Sequence, residues 1–291
     1  MAFNLQTFKT RTLTAIVFAA VMMSGLFINN WTFFILFTVI HFGCWIEYFK
    51  LMGLIDENYL HINSIHKNGI MLLGWAFMLW MTNHAYKIGS LELHGIGWLL
   101  MLVLAVILLS TEIVFKKRLN VKSIGYSLLG LVYISLSWGL MIDLRNQGMA
   151  FKGEYLMFDF GKWLPCIIIF SIWINDTMAY IVGSFIGKTP LSKTSPKKTW
   201  EGTIGGIILS VAIISLVQYF LDKRFDIHIF IIALISAVAG TFGDLLESKI
   251  KRLANVKDSG NFMPGHGGFL DRFDSLLLAT PFVWLYVHLF S

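Results

Sequence analysis

Long apolar stretches recur along the whole chain and restrict what it can fold into. Of its 291 residues, 56% are hydrophobic and 14% are charged, whereas a soluble globular protein carries about 25% charged residues. Each stretch reaches roughly the 20 residues that a helix needs to cross a hydrocarbon core. The sequence therefore predicts an all-α polytopic membrane protein. The predicted spans, about nine in number, are approximately 12–29, 31–48, 68–86, 94–115, 124–143, 163–186, 202–221, 227–247 and 270–290.

The basic residues predict how these spans are oriented. With a cytoplasmic N-terminus, about 17 of the 23 Lys and Arg residues fall on the cytoplasmic side, as the positive-inside rule requires. The net charge of +6 therefore indicates topology, and we expect no nucleic-acid partner. No signal peptide is expected, because the first apolar run lacks a convincing small-residue cleavage site and further spans follow it. No disulfide is expected, because Cys44 and Cys166 both lie in apolar stretches. We expect one membrane domain over 1–291, with apolar N-terminal helices in 1–145 and more polar helices and loops in 160–291.

Ionisable residues inside spans are costly and are functional candidates. The first five spans are expected to contain few polar residues, whereas the second half of the chain has four polar clusters. The first cluster contains Asn175, Asp176 and Tyr180, at i, i+1 and i+5 in the sixth span. Such spacing cannot place all three on one narrow helix face. A hydrogen-bonding patch between helices is the alternative to a functional role.

The second cluster lies between the sixth and seventh spans. Ser195 and Pro196 break the chain, Lys197 and Lys198 follow, and a helix begins near Thr199 with Glu201 in its first turn. A helix N-terminus preceded by lysines is suited to binding anions. A positive-inside anchor is an equally good interpretation of these residues alone. Glycines at 202, 205 and 206 permit close helix packing.

The third cluster leaves the eighth span. Asp244, Glu247, Ser248 and Lys251 are spaced i, i+3, i+4 and i+7 and share one helical face. A solvated helix end would look similar, but Asp244 is continuous with the apolar run before it.

The fourth cluster opens the ninth span. Asp271 and Asp274 are neighbours on one helical face, and carboxylate oxygens suit Mg²⁺. Before them, the glycines of 265–268 can form a backbone nest for an anion beside His266 and Arg272. The predicted topology brings all four clusters to the cytoplasmic half of the membrane. The sequence therefore predicts a metal–polyphosphate site at the lipid boundary.

These clusters resemble the phosphatidate cytidylyltransferase (CDP-diacylglycerol synthase) family. The family signature matches 248-SKIKRLANVKDSGNFMPGHGGFLDRFD-274 at all its polar positions, and 175–202 and 243–252 are similar to the family in the same order. The resemblance covers about the C-terminal 120 residues. It implies transfer of the cytidylyl group of CTP to phosphatidic acid, with Mg²⁺ and room for a second cation. It also implies a bacterial inner membrane, with the site on the cytoplasmic side. It leaves open whether the protein is a homodimer.

The resemblance also implies roles for individual residues. The expected metal ligands are Asp244, Asp258, Asp271 and Asp274. The expected catalytic set is Asp244, Asp271, Asp274 and Lys251. Groups expected at the CTP phosphates are Lys197, Lys198 and Thr199, and those organising the nucleotide pocket are Asn175, Asp176 and Glu201. Groups expected at pyrophosphate or the lipid phosphate are Lys251, Arg252, His266, Gly267, Gly268 and Arg272. Ser195, Ser248 and Lys257 complete the expected binding residues.

Two rival functions use similar features. A CTP-dependent lipid kinase would transfer the γ-phosphoryl group to an alcohol instead of the cytidylyl group to a phosphate. A secondary transporter would also carry intramembrane carboxylates and broken helices. The lack of a visible repeat and the placement of the clusters on one side argue against a transporter.

Overall fold

The computed structural model of the protein describes residues 5–114, 121–147, 160–262 and 267–290. The first half of this part is helical apart from a short hairpin, β1 (Lys87–Ile88) and β2 (Leu91–Glu92), paired antiparallel. Its helices are α1 (Leu5–Phe27), α2 (Asn30–Ile55), α3 (Glu57–Leu60), α4 (Ser64–Trp80), α5 (Leu93–Val114), α6 (Val121–Gly130) and α7 (Ser137–Asn146). A π-helical segment, Leu131–Leu136, joins α6 to α7.

The second half contains four long helices. They are α8 (Phe160–Ile186), α9 (Trp200–Asp222), α10 (Ile227–Leu253) and α11 (Leu270–Phe290). Each of the nine predicted apolar stretches corresponds to helix, although the third ends at Trp80 instead of at 86. Within the described ranges, seven helical segments are long and apolar enough to cross a membrane. The apolar part of α1, Thr12–Phe27, is shorter than these. The protein is an all-α polytopic membrane protein.

The chain divides into two compact units. The first contains residues 1–146 and 253–272, and the second contains 147–252 and 273–291. The connection between α10 and α11 therefore belongs to the same unit as the N-terminal helices. The core of the first unit is aromatic, with Phe33, Phe37, Trp45 and Trp138 excluded from solvent.

A buried polar network lies in the first unit, formed by polar residues of the predicted spans and by residues that precede them. His66 lies at 2.7 Å from Glu112 through Nδ1 and at 2.8 Å from the Ser127 hydroxyl through Nε2. Ser127 also hydrogen-bonds the Tyr59 hydroxyl at 3.0 Å. The buried polar groups are supplied by different helices, so they satisfy one another only after folding. Single spans of the sequence therefore conceal the network.

Glycines determine how closely the helices of the second unit approach. A Cβ added at Gly202 would lie 2.7 Å from the Ala179 carbonyl oxygen, and one at Gly206 would lie 2.7 Å from the Ala179 Cβ. A Cβ at Gly205 would lie 2.6 Å from Val182. The predicted packing role of these three glycines is confirmed, since larger residues would push α9 away from α8.

Candidate active site

Lys198 brings together charged residues from three predicted clusters of the second unit. It lies in the loop between α8 and α9, and its ammonium group donates a hydrogen bond to Oδ2 of Asp244 on α10. It also interacts electrostatically with Asp176 on α8 and Asp274 on α11. One cation is therefore placed among three carboxylates. We call these four residues the Lys198 cluster.

A close approach of α10 and α11 positions two of the carboxylates. A Cβ at Gly243 would lie 2.5 Å from the Asp274 carbonyl oxygen and 2.9 Å from the Ser275 Cα. Only glycine therefore permits this contact directly before Asp244. Asp274 is buried and accepts a hydrogen bond from the Ser275 N–H at 2.6 Å. Oδ1 of Asp244 accepts one from the Ser248 hydroxyl at 3.2 Å.

The environment of Lys198 keeps its side chain charged. Burial alone would lower the pKa of this ammonium, but the charge and hydrogen bond of Asp244 outweigh burial and raise the pKa above its ordinary value. The negative charge of three ionised carboxylates is larger than the positive charge of one lysine. The ionised cluster therefore has an uncompensated negative charge. A further cation would relieve it.

The donor chemistry of the Lys198 cluster fits a hard divalent cation. Carboxylate oxygens are the ligands that Mg²⁺ prefers. In the part of the chain that the structure describes, no three His, Cys, Asp or Glu side chains are grouped as a ready metal site. Asp244 is instead held by Lys198. The predicted ligand Asp258 is exposed in the first unit.

The loop that carries Lys198 is closed by hydrogen bonds. The Glu201 carboxylate accepts from the N–H of Lys188 at 3.1 Å and from the Thr189 hydroxyl at 2.8 Å. Thr199 caps α9, with its hydroxyl oxygen accepting from the Gly202 N–H at 3.1 Å. Glu201 therefore shapes the loop, in addition to any contact with a nucleotide.

Backbone hydrogen bonds order the centre of the same loop. The Lys198 N–H donates to the Ser195 carbonyl at 3.1 Å, and the Leu191 N–H donates to the Lys198 carbonyl at 2.7 Å. Lys197 is exposed, whereas Lys198 is partly buried. The two adjacent lysines, indistinguishable in the sequence, thus occupy different environments.

The polar residues of α8 separate by face as predicted. Asn175 is buried and donates from Nδ2 to the Thr241 hydroxyl at 3.3 Å. Its Oδ1 has no hydrogen-bond partner within the described residues. Asp176 and Tyr180 are exposed. Asn175 thus ties α8 to α10, while Asp176 contributes charge to the Lys198 cluster.

The third predicted cluster forms pairs along α10. Lys251 lies 2.5 Å from Glu247, whose side chain is almost wholly buried. With the Ser248–Asp244 bond, these pairs confirm the predicted common face. Arg252 is exposed at the end of the same helix.

The connection to α11 is ordered around Asp271 in the first unit. Its Oδ2 accepts hydrogen bonds from the N–H groups of Ser259 at 2.9 Å and Gly268 at 2.8 Å. The Gly268 N–H, expected in an anion nest, therefore binds a carboxylate of the chain itself. Gly267 has a φ of +84°, which favours glycine. His266 lies outside the described residues, and Lys257 and Arg272 are exposed.

Glu47 is a buried residue that binds this connection, and the sequence analysis did not identify it. It lies on α2 and accepts hydrogen bonds from the N–H groups of Phe269 and Leu270 and from the Ser259 hydroxyl. A lone acid in an apolar span was the available signal.

An apolar groove lies between α10 and α11, the helices that carry Asp244 and Asp274. It has a volume of about 740 Å³. Its lining begins with Phe242, two residues before Asp244, and with Leu278, one helical turn after Asp274. The other lining residues are Leu234, Ile235, Val238, Ala239, Phe282, Leu285, Tyr286, Leu289 and Phe290. The groove therefore gives the second unit an apolar surface on the two helices that carry these carboxylates.

Known proteins are similar to this chain over most of its length. The model of the cytidylyltransferase family matches residues 9–290. The chain is 35% identical over 217 residues to a phosphatidate cytidylyltransferase of Bacillus subtilis, covering 74% of this chain and 77% of the relative. It is 30% identical over 275 residues to the enzyme of that name from Staphylococcus saprophyticus, covering 94% and 96%. The match includes the N-terminal helices, where motifs alone gave no resemblance.

Proposed function

The chain belongs to the cytidylyltransferase family, and from this premise we propose that it transfers the cytidylyl group of CTP to phosphatidate at the Lys198 cluster. A phosphate oxygen of phosphatidate attacks the α-phosphorus of CTP. The bond between the α-phosphorus and the oxygen that bridges it to the β-phosphate breaks, and pyrophosphate leaves. The lipid product is CDP-diacylglycerol. The protein is thus a nucleotidyltransferase of phospholipid synthesis, embedded in a membrane by several spans.

The observation that carries this proposal is a partly buried ammonium among three carboxylates. The nucleophile is a phosphate monoester, whose second pKa is about 6, so it is largely dianionic at neutral pH. It needs no strong general base. The barrier arises because two anionic phosphates must approach each other. Positive charge in a partly desolvated site lowers this barrier. We assign the carboxylates to cation binding and Lys198 to the phosphates.

The carboxylates of the Lys198 cluster are the residues that would hold Mg²⁺. Bound there, the ion would neutralise phosphate charge and orient the leaving group. Asp244 and Asp274 are the proposed ligands from the second unit. Asp271 and Asp258 stay predicted ligands from the family resemblance, as does a second cation.

The surrounding groups receive substrate roles in the proposal. Lys197 is exposed next to Lys198 and is available to a nucleotide phosphate. Lys251 is held by Glu247 close to the face of α10 that carries Asp244. The apolar groove lies between the two helices that carry Asp244 and Asp274, which supports a lipid substrate whose acyl chain lies between α10 and α11.

We further propose that the Lys198 cluster lies on the cytoplasmic side of a bacterial inner membrane. The distribution of the basic residues supports this orientation. CTP is a cytoplasmic nucleotide, and a polyanion crosses a hydrocarbon core only at high cost. The relatives from Bacillus and Staphylococcus are bacterial.

The position of a radioactive label tests the reaction. Purified protein in phosphatidate-containing vesicles is incubated with Mg²⁺ and CTP labelled at the α-phosphate, with and without a chelator. We expect the label to enter the lipid fraction, and a chelator to prevent this. An unlabelled lipid with CTP left intact would contradict the proposal.

The same assay separates the rival functions. A lipid kinase would leave the α-label in free CDP and would label the lipid from γ-labelled CTP. A transporter would move solute into vesicles without consuming CTP. Either result would replace the proposed reaction.

A further inference from the structure

We propose that Glu47 is a positioning residue for the two described segments of the loop before α11, 257–262 and 267–269, and for Asp271, which follows them. The carboxylate of Glu47 lies on α2, far away in the sequence, and is 7% exposed. The inference that Glu47 supports catalysis rests on the proposed function. The inference that it fixes the loop rests on the geometry alone.

Glu47 binds the N-terminus of α11 through both carboxylate oxygens. Oε1 accepts from the Phe269 N–H at 2.8 Å, and Oε2 accepts from the Leu270 N–H at 2.9 Å. These N–H groups are among those that a helix leaves unpaired at its start. A negative charge there also interacts favourably with the helix dipole. Glu47 thus caps α11 from another part of the chain.

The backbone of the loop packs directly against the carboxylate. A Cβ at Gly260 would lie 2.2 Å from Oε1 of Glu47, and one at Gly268 would lie 2.2 Å from the same atom. Glycine at both positions is therefore required by the presence of the carboxylate. Both described segments of the loop therefore pack against Glu47, one at Gly260 and the other at Gly268.

Ser259 connects Glu47 to Asp271. Its hydroxyl oxygen lies 2.7 Å from Oε2 of Glu47 and 3.0 Å from Oδ2 of Asp271, and its side chain is buried. A hydroxyl has a single proton to donate, and the shorter distance favours donation to Glu47. The hydroxyl oxygen also accepts from the Asp271 N–H at 3.3 Å. A movement of Glu47 would therefore displace the loop and Asp271 together.

The charge and length of Glu47 matter for this role. Glutamine keeps one acceptor oxygen but replaces the second by an NH₂ group, which would point a donor at a backbone donor. One of the two α11 N–H groups would then lose its partner. Aspartate keeps the charge but is one methylene shorter.

Hydrogen–deuterium exchange of Glu47→Gln in detergent or nanodiscs tests the anchoring directly. We expect the amides of Phe269 and Leu270 to exchange at least about tenfold faster than in the unmodified protein, as loss of a charged hydrogen-bond acceptor implies. Amides in the middle of α8 and α10 should exchange as before. Glu57→Gln, the same substitution at an exposed glutamate, is the matched control and should change neither region. Unchanged exchange at Phe269 and Leu270 in Glu47→Gln would overturn the proposal.

Kinetics of the same variants test the link to catalysis. We expect kcat of Glu47→Gln to fall about 10–100-fold, as for loss of a group that orients a ligand residue, while KM for CTP stays within about twofold. A variant that fails to fold would lose protection along all helices, and Ser259→Ala then decides. It removes only the connecting hydroxyl and should lower kcat with the fold intact. Normal kcat in both variants would contradict the catalytic role.

The two arms separate this inference from the proposed function. If the unmodified protein had no cytidylyltransferase activity, the proposed function would fail while exchange still measured the anchoring. If the activity were present, a double variant adds a further criterion. Glu47→Gln combined with Ser259→Ala should lose less than the product of the single losses, because the two side chains act through one contact. Full multiplication of the losses would argue against the connection through Ser259.

Discussion

The ammonium group of Lys198 interacts with Asp176, Asp244 and Asp274, so it is placed where charge must be balanced. We predict that Lys198→Met lowers kcat/KM by at least about 100-fold, as for removal of a group that stabilises developing phosphate charge. The label-transfer assay measures this. Because the pKa of Lys198 is raised, the ammonium is charged at every pH below the ordinary pKa of lysine. Its contribution is lost only as the pH rises through the raised value.

Lys193→Met is the control for this substitution. Lys193 lies in the same loop, is exposed and has no assigned role. It should leave kcat/KM within about threefold, since surface substitutions are usually tolerated. A Lys198→Met protein that was equally active would remove Lys198 from the mechanism.

Residue identities in the Lys198 cluster were predictable, but their environments were not. The carboxylates at 176, 244 and 274 were recognised from their positions within or at the end of apolar spans. Lys198 was recognised from its position before a helix N-terminus, and the family resemblance supported all four residues. The sequence could not show that Lys198 is partly buried on Asp244 while Lys197 is exposed. Nor could it show that Glu201 closes a loop. Those differences arise from contacts between distant segments.

The α8–α9 pair depends on glycines at its contact. We predict that Gly206→Ala lowers the free energy of unfolding by about 1–3 kcal/mol, the usual cost of overpacking. The added Cβ would lie 2.7 Å from that of Ala179 and 2.8 Å from the Asn175 carbonyl oxygen. Thermal unfolding in detergent measures the loss. The matched control is Gly125→Ala in α6, where an added Cβ meets nothing within 4 Å.

The outcome at Gly125 has its own sign. Alanine is favoured over glycine in a helix by roughly 1 kcal/mol, so this variant should be at least as stable as the unmodified protein. Equal destabilisation at both glycines would show that contact with α8 is not the cause of the effect at Gly206.

Elements were predictable where hydropathy is continuous and hidden where polar groups pair. The apolar stretches gave the positions of α8 to α11 closely, because an uninterrupted apolar run of about 20 residues has few other folds. The polar network of His66, Glu112 and Ser127 was missed. Each of these residues looks isolated in its own stretch, and only the packing of α4, α5 and α6 brings them together.

The orientation of the whole molecule can be tested across the single helix α9. Its 23 residues span about 35 Å at 1.5 Å per residue, which is long enough for its two ends to lie on opposite sides of the bilayer. Lys193 precedes this helix and Lys223 ends it. We predict that Lys223→Cys in intact spheroplasts reacts with a membrane-impermeant maleimide, whereas Lys193→Cys reacts only after permeabilisation.

The natural cysteines provide a low background for this experiment, since Cys44 and Cys166 are both buried. The reverse labelling pattern would place the loop that carries Lys198 outside the cell, away from cytoplasmic CTP, and would contradict the proposed orientation. Labelling of both positions in intact spheroplasts would show that α9 does not cross the membrane. The positive-inside rule predicts labelling of Lys223→Cys alone in intact spheroplasts. The reason is that four lysines precede α9, namely Lys188, Lys193, Lys197 and Lys198. If this pattern is observed, the same basic loop both orients the protein and supplies the cation of the proposed site.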